Sequence, residues 1–395
     1  GVVYVPVADF ADGTRGGVVA LDARTGETLW EFRSGYAVRN TPAVAAGLVV
    51  ATSTEGSVFA VDATTGELAW AIDLGDGFSD LVSALYAAPT IEGDRVYVGT
   101  QVNFVAIDLA TGTPMWSTNP SPQAAWLGSY ASAGVADGVV IGAFSRGVDG
   151  VVGWSSDDGH ELWRVPRPLA TAINAAPVIA GDVAYLGNTS TTMFAVNLES
   201  GTTVWQRKLS DLGTAWGYGI PATPAYADNT LVVPTQFEFL YAIDATTGEE
   251  RWRIGADEAN VHPAHYQSRA KTFSASPVIA GDTVWAASSA GTLYAIDLDS
   301  GMPEWKMDFA APILSGVVPA GDLLLVSTFD GTVHALVHRE EADPGQVHPP
   351  MFASAAGCGC RVGAAAGHSQ SVLEGAAVLF FLIAGAGFGM RRRLR

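Results

Sequence analysis

Few side chains of this 395-residue sequence stand at spacings that suit catalysis or metal binding. His262 and His265 are three residues apart, but a proline lies between them and the segment is predicted to be a solvated loop, which would not preorganise a ligand pair. His160, His334 and His338 stand at strand or turn positions of the repeat described below, where packing or exposure accounts for them. The sequence contains no recognisable Ser, His and Asp set, phosphate-binding loop or carboxylate pair. It therefore predicts neither catalytic residues nor metal ligands.

The two cysteines, Cys358 and Cys360, both lie near the C-terminus, so the body has neither a disulfide framework nor a thiolate metal cluster. A Cys-Gly-Cys pair also encloses too short a loop for a disulfide. The formal charge is −19, and residues 357–395 hold five arginines against Glu374, so the body carries about −23. A body this acidic repels nucleic acid, which excludes it as a partner, and predicts a solvated acidic surface.

A repeat marked by tryptophan predicts the secondary-structure elements of the body. In five copies an Asp lies eight residues before the Trp and a Gly four residues before it; two other copies have Asn197 and Ser155 in place of the Asp. Successive tryptophans are 40 to 53 residues apart, the period of one four-stranded propeller blade. An eighth copy begins at Gly331 but lacks its Gly and Trp. The seven tryptophans are Trp30, Trp70, Trp116, Trp163, Trp205, Trp252 and Trp305.

Each part of the repeat has a predicted structural role. The residues before the Asp read as a strand, the Asp can bond turn N–H groups, and the Gly supplies a positive φ. The Trp strand follows, and we expect its ring to wedge between neighbouring blades while its N–H finds an acceptor. An Ala at the start of the motif leaves room for that ring. Upstream lie a strand with a Pro at its head, a Gly/Asp turn and another strand, which makes four strands per unit.

This pattern resembles the PQQ-like β-propeller superfamily, with its Ala-x-Asp-x-x-x-Gly-x-x-x-Trp docking motif, over residues 1–338. The resemblance implies eight blades. The superfamily includes quinoprotein alcohol dehydrogenases and the propeller lipoprotein of the bacterial outer-membrane barrel-assembly machinery. The dehydrogenases are marked by an adjacent Cys-Cys disulfide, a calcium site of Glu, Asn and Asp, and long inserted loops. Because the body has no cysteine and short inter-repeat segments, we expect no quinone cofactor and no enzyme activity.

The predicted fold is all-β: an eight-bladed β-propeller of four-stranded antiparallel blades, followed by a linker and a short apolar helix. The sequence opens inside a strand that matches the second strand of a unit, and the eighth unit lacks its outer strand. We therefore expect an N-terminally truncated first blade, preceded in the full protein by an export signal and a closing strand.

Residues 339–357 contain Pro residues without periodicity and are predicted to be a flexible linker. In the tail, 358–395, an uncharged run over 375–390 precedes an arginine cluster. This order resembles the myxobacterial C-terminal sorting tail (MYXO-CTERM). That resemblance implies a sorting protease, lipidation at Cys358 or Cys360, and attachment to the outer membrane or cell surface of a Gram-negative bacterium. The alternative is a transmembrane anchor, or a helix packed on the propeller.

The segments before the Pro-headed strands must converge on one mouth of the central channel, and aromatic side chains and a few cations are frequent there. Such a ring could bind a protein, peptide, glycan or small anion by stacking and charge, although channel lining alone also explains it. The candidate residues are Tyr36, Arg39, Asn40, Tyr86, Trp126, Tyr130, Asn174, Trp216, Tyr218, Arg269 and Lys271.

The sequence as a whole predicts an exported, surface-anchored monomer that binds or scaffolds without catalysis. Two alternatives remain open at this point: a divergent PQQ-dependent dehydrogenase, and an assembly scaffold of the barrel-machinery type.

Overall fold

The repeat folds into eight antiparallel sheets that form the blades of one propeller, as the sequence predicts. This computed structural model describes residues 1–74, 87–100, 103–120, 131–144, 150–166, 173–210, 219–236, 239–256, 272–309, 311–337, 352–354 and 361–363. No helix occurs among these residues, and none of them forms a segment that could cross a membrane as a helix. The predicted apolar helix over 375–390 lies outside them.

Blades 2 to 7 each have four strands in chain order from the channel outwards, and blade 1 has three. The strands of blades 1 to 4 are β1 (Val2–Asp9), β2 (Arg15–Asp22), β3 (Thr28–Arg33); β4 (Ala43–Ala45), β5 (Leu48–Thr52), β6 (Ser57–Asp62), β7 (Leu68–Asp73); β8 (Thr90–Glu92), β9 (Arg95–Gly99), β10 (Phe104–Asp108), β11 (Pro114–Thr118); β12 (Gly134–Ala136), β13 (Val139–Ala143), β14 (Gly150–Ser155), β15 (Glu161–Pro166). Those of blades 5 to 8 are β16 (Val178–Ala180), β17 (Val183–Gly187), β18 (Thr192–Asn197), β19 (Thr203–Lys208); β20 (Ala225–Ala227), β21 (Thr230–Pro234), β22 (Phe239–Asp244), β23 (Glu250–Gly255); β24 (Val278–Ala280), β25 (Thr283–Ala287), β26 (Thr292–Asp297), β27 (Pro303–Asp308); β28 (Val318–Ala320), β29 (Leu323–Ser327), β30 (Thr332–Val337).

The Asp-x-x-Thr-Gly hairpin adopts the predicted turn. In blade 2 the carboxylate of Asp62 accepts hydrogen bonds from the backbone N–H groups of Thr64 and Thr65, both at 2.8 Å. The turn glycines have φ between 68° and 74°, a region that favours glycine. A one-residue bulge follows the Ala of the third strand, and that Ala lies directly opposite the Trp, as Ala60 lies opposite Trp70. In blade 4 the small residue is Gly153, whose added Cβ would lie 2.2 Å from the ring of Trp163.

Each tryptophan of blades 1 to 6 docks on the hairpin of the next blade. The indole N–H of Trp30 donates to the backbone oxygen of Ala63 at 3.1 Å, and the five that follow make the same bond at 2.8–2.9 Å. The ring lies flat on the turn glycine of that hairpin: a Cβ added at Gly112 would be 2.6 Å from the ring of Trp70. The tryptophan therefore joins neighbouring sheets through one polar and one apolar contact.

The ring closes where blade 8 meets blade 1. One apolar cluster combines Val3, Val5 and Val7 of β1 with Leu323 and Leu325 of β29. Arg24 and Asp322 form an exposed ion pair across the same junction. At the outer edge of blade 8, two short strands pair in addition: β32 (Arg361–Gly363) runs parallel to the start of β30, and β31 (Phe352–Ser354) pairs with β32. These short strands come from segments that the sequence assigns to the linker and the tail.

Candidate ligand-binding mouth of the propeller

The up-and-down order of the strands sorts the connections onto two faces. The turns between first and second strands, and between third and fourth strands, lie on one face, here called the turn face. The connections between second and third strands, and those that lead from blade to blade, lie on the opposite face, here called the mouth face. The predicted binding residues that the structure describes, Tyr36, Arg39, Asn40 and Asn174, belong to segments of the mouth face.

Acidic side chains concentrate on the turn face. In these turns the structure describes a single arginine, Arg24, and one histidine, His160. Between the strand ends, the acids of the turns between first and second strands are Asp94, Asp137, Asp182, Asp228, Asp282 and Asp322. Those of the hairpins between third and fourth strands are Glu27, Glu67, Asp157, Asp158, Glu199, Glu249 and Asp299. The strands that enter five of these hairpins end in a further aspartate: Asp22, Asp62, Asp108, Asp244 and Asp297. Arg95, the first residue of β9, forms an ion pair with Asp157 on this face. The described connections of the mouth face hold only Asp12, Glu55 and Asp330 as acids, together with Arg39.

The turn-face aspartates are held in their ionised form by the turns themselves. The backbone N–H groups of Thr65 and then Thr64 lower the pKa of Asp62 below its usual value. A hydrogen bond from the His160 side chain, followed by the His160 backbone N–H, lowers the pKa of Asp158 to about 2. The turn face therefore stays negative down to acidic pH, and the mouth face is the less charged of the two.

The mouth segment that leads into blade 2 is held by backbone bonds on both sides. The N–H of Val38 donates to Val7 in blade 1 at 3.1 Å, and the N–H of Thr54 in blade 2 donates to Ala37 at 2.9 Å. Tyr36 is 46 % exposed, and Arg39 is exposed as well. These two predicted residues are therefore open to solvent on a fixed segment.

Two other predicted residues lie deeper. Asn40 is only 5 % exposed, and its side-chain amide donates to Thr52 Oγ1 at 2.8 Å and to the backbone oxygen of Ala87 at 3.2 Å. It joins the wall of blade 2 to blade 3 and does not face solvent. Asn174 is half-buried. The remaining predicted mouth residues, Tyr86, Trp126, Tyr130, Trp216, Tyr218, Arg269 and Lys271, lie outside the described residues.

The inner strands carry partly exposed apolar residues that the sequence prediction did not name. The inner strands of neighbouring blades contact one another around the axis from β4 to β28. Their middle residues are all apolar and partly exposed: Val44, Ile91, Val135, Ile179, Tyr226, Ile279 and Pro319. Four of them, Ile91, Val135, Ile179 and Ile279, pack against the apolar clusters between blades. Tyr226 stacks on Tyr185 of the preceding blade, with ring centres 6.1 Å apart. The signal for most of them was present, because Val44, Ile91, Ile179, Tyr226 and Ile279 each stand two residues after a proline.

Metal-binding groups can be assigned only among the described residues. Nowhere in the described ranges do three His, Cys, Asp or Glu side chains come together at a distance that could hold a metal ion. Cys358 and Cys360 lie outside these ranges. What the geometry does supply is an exposed tyrosine and an exposed arginine on a fixed segment of the less charged face.

Known proteins with similar sequences and structures include assembly factors, a kinase and a dehydrogenase. The chain is similar to the kinase AfsK of Streptomyces griseus, with 27 % identity over 70 % of this chain, but it spans only 31 % of that protein. It is 24 % identical to outer membrane protein assembly factor BamB of Moranella endobia, covering 83 % of this chain and 82 % of that one. Among solved structures, BamB from Moraxella catarrhalis superposes with a TM-score of 0.59 at 16 % identity, covering 82 % of this chain and 90 % of that one. The quinohemoprotein alcohol dehydrogenase of Pseudomonas putida superposes with a TM-score of 0.67 at 14 % identity, covering 80 % of this chain and 67 % of that one.

The family model described as outer membrane protein assembly factor BamB matches residues 1–125 and 105–342, which together include all eight blades. This chain therefore belongs to the BamB family of PQQ-like propellers.

Proposed function

We propose that this chain is a non-catalytic scaffold of the Gram-negative cell envelope that binds a protein partner through its mouth face. The observation that carries the proposal is the family match over the whole propeller, because the family is described by its part in outer membrane protein assembly. The role so proposed is that of an assembly factor, which acts by holding a partner and needs no reacting group.

The two faces support the choice of surface. Anionic side chains fill the turn face, and an acidic partner would be repelled from it. The mouth face presents Tyr36 and Arg39 on a segment held by backbone hydrogen bonds, and tyrosine and arginine are among the residue types that most often anchor protein interfaces. A protein partner would therefore bury an aromatic ring and pair a guanidinium there.

Site-specific photo-crosslinking in cells tests the proposed surface. A benzophenone amino acid replaces Tyr36 or Arg39 on the mouth face, and Glu67 or Asp282 on the turn face serves as the matched exposed control. We expect both mouth positions, and neither control, to crosslink to a component of the outer-membrane assembly machinery. Equal crosslinks from the turn face, or none from the mouth, would refute the proposed surface.

Catalysis is the alternative that similarity to quinoprotein dehydrogenases raises. Incubation of the purified chain with PQQ and Ca²⁺, followed by absorption spectra and dye-linked alcohol oxidation, separates the two functions. A scaffold leaves the quinone spectrum unchanged and reduces no dye. A shifted quinone spectrum with dye reduction would establish a dehydrogenase instead.

We also propose that the tail over 358–395 anchors the protein at the cell surface after processing at Cys358 or Cys360. The order of cysteines, apolar run and arginine cluster supports this. Mass spectrometry of the mature C-terminus tests it: a lipid-modified cysteine at the new end is expected, and an intact Arg391–Arg395 end would refute processing.

A further inference from the structure

The crevice between blades 5 and 6 on the turn face carries a pair of tyrosines. Tyr226, the middle residue of the inner strand β20, is 39 % exposed. Its ring lies within 14° of parallel to that of Tyr185 on β17, with the ring centres 6.1 Å apart. The other described inner strands, β4 to β28, have valine, isoleucine or proline at this position, as with Ile179 and Ile279 in the two flanking blades. Among these strands, only β20 therefore presents an aromatic ring to solvent.

The hydroxyl of Tyr185 lacks the partner that comparable hydroxyls have. Tyr185 is only 5 % exposed, yet its hydroxyl makes no hydrogen bond to any described residue. The hydroxyl of Tyr4, in contrast, donates to the backbone oxygen of Ala63 at 3.0 Å, and that of the buried Tyr97 lies beside the guanidinium group of Arg95. Because a buried tyrosine usually finds a hydrogen-bond partner, the free hydroxyl of Tyr185 indicates a place for a ligand.

Two carboxylates border the same crevice. Asp182 lies in the turn before β17 and Asp228 in the turn after β20, and both are exposed. Neither forms an ion pair within the described ranges, and the side-chain contact of Asp182 is a 3.5 Å approach of the Asn197 amide. The negative charge of these two side chains is therefore available to a cation.

The protonation of Tyr185 reports how close this charge lies. Burial raises the pKa of Tyr185, and Tyr226 and then the carboxylates of Asp182 and Asp244 raise it further. Asp244 is already paired with Arg251 at 2.7 Å, so the uncompensated charge near the hydroxyl comes from the turn that holds Asp182.

The turn face of blades 5 and 6 is described without a gap. The neighbouring gaps, at 167–172, 211–218 and 237–238, all lie in connections of the mouth face. Both blades also have all four strands. The repeat therefore leaves no segment of these blades to cover the two tyrosines.

We propose that this crevice is a binding site for a small organic cation with an alkylammonium head. The ring of Tyr226 supplies the aromatic surface on which such a head rests, and Asp182 and Asp228 supply the opposite charge. The hydroxyl oxygen of Tyr185 gives a further polar contact. The site lies on the face opposite the mouth, so it does not depend on the proposed scaffold function.

The experiment follows the ring signals of the full chain with ¹³C-labelled tyrosine by NMR, and Tyr226→Ile assigns the signal of that residue among the eleven tyrosines. The probes are choline and its neutral analogue, in which a tert-butyl group replaces the trimethylammonium head. We expect choline, and not the analogue, to shift the Tyr226 and Tyr185 signals. Tyr226→Ile introduces the residue type of Ile179 and Ile279 and should weaken choline binding about two- to fivefold. Tyr226→Phe keeps the ring and should bind choline as the wild type does.

The carboxylates are tested in the same titration. Asp182→Asn combined with Asp228→Asn should weaken choline binding and reduce its dependence on salt. Asp282→Asn is the matched control, because Asp282 occupies the place of Asp182 in blade 7, where the middle residue of the inner strand is Ile279. This control should leave the choline affinity unchanged.

Four results would overturn the proposal. These are tyrosine signals that choline does not shift, equal shifts from the neutral analogue, a choline affinity unchanged in Tyr226→Ile, and an equal loss in Asp282→Asn. The last of these means that the general charge of the turn face attracts the cation. Because no mouth residue takes part in the assay, its failure is separable from failure of the envelope function.

Discussion

The contact between the tryptophan ring and the turn glycine gives the sharpest mutational prediction. Gly112 and Gly93 both have positive φ, 71° and 59°. A Cβ at Gly112 would lie 2.6 Å from the Trp70 ring, whereas a Cβ at Gly93 would meet nothing within 4 Å. Gly112→Ala therefore suffers a backbone penalty and a clash, and Gly93→Ala suffers the backbone penalty alone.

The magnitudes follow from those two contributions. A left-handed alanine costs about 1–2 kcal/mol, and an extra methyl in a packed contact costs about 1–3 kcal/mol. We expect Gly112→Ala to lower the free energy of unfolding by about 2–5 kcal/mol and Gly93→Ala by about 1–2 kcal/mol. In a Trp70→Ala background the clash disappears, so Gly112→Ala should then cost only as much as Gly93→Ala.

Urea unfolding of the four variants and the wild type, followed by circular dichroism, measures this double-mutant cycle. A coupling of about 1–3 kcal/mol between positions 70 and 112 is expected. Equal losses for Gly112→Ala and Gly93→Ala, or an undiminished Gly112→Ala loss without the indole, would show that the ring does not rest on the glycine.

Three further predictions concern a histidine, the turn aspartates and the docking tryptophans. Burial lowers the pKa of His334, so the folded protein is less stable once pH falls below about 6.5, where the unfolded chain binds the proton more readily. His334→Phe introduces the residue type found at the equivalent Phe59. This substitution should flatten the pH dependence of the urea midpoint between pH 7 and 5. The lowered pKa values of Asp62 and Asp108 give stability that is present at pH 7 and lost as pH falls below about 4. Asp62→Asn with Asp108→Asn should therefore lower the urea midpoint at pH 7 and make it depend less on pH below 4, while the fold is kept, as Asn197 fills the same position in blade 5. Trp70→Phe leaves the Leu109 carbonyl without its donor and should cost about 1–3 kcal/mol more than Trp305→Phe, measured by thermal unfolding; equal losses would contradict the assigned docking bonds.

The blades could be read from the sequence because the repeat is periodic and each of its residues has a local role. Asp62, Gly66 and Trp70 act within one hairpin and its neighbour, so their spacing alone fixes the turn, its positive φ and the docking contact. The eight copies, including the shortened first and last units, correspond to the eight sheets observed.

The candidate site was harder to predict from the sequence because it depends on which way each side chain points and how deeply it is buried. The position of Asn40 before its Pro-headed strand predicts a place at the mouth, but not that its amide bonds inwards to Thr52 and Ala87. The place of Val44 and Tyr226 two residues after a proline marks the inner strand, but it does not say how far each side chain is exposed. The separation of charge into two faces was also hidden, because it appears only when alternate turns are assigned to the same side of the ring.

The outer-membrane proteome of the host bacterium after deletion of this protein tests the proposed scaffold function most directly. The scaffold proposal predicts reduced levels of outer-membrane proteins, restored by the wild-type chain and by a Glu67→Gln, Asp282→Asn control, but not by a Tyr36→Ala, Arg39→Ala variant that is folded and exported equally well. An unchanged proteome after deletion, or full rescue by the mouth variant, would contradict a scaffold that works through its mouth face.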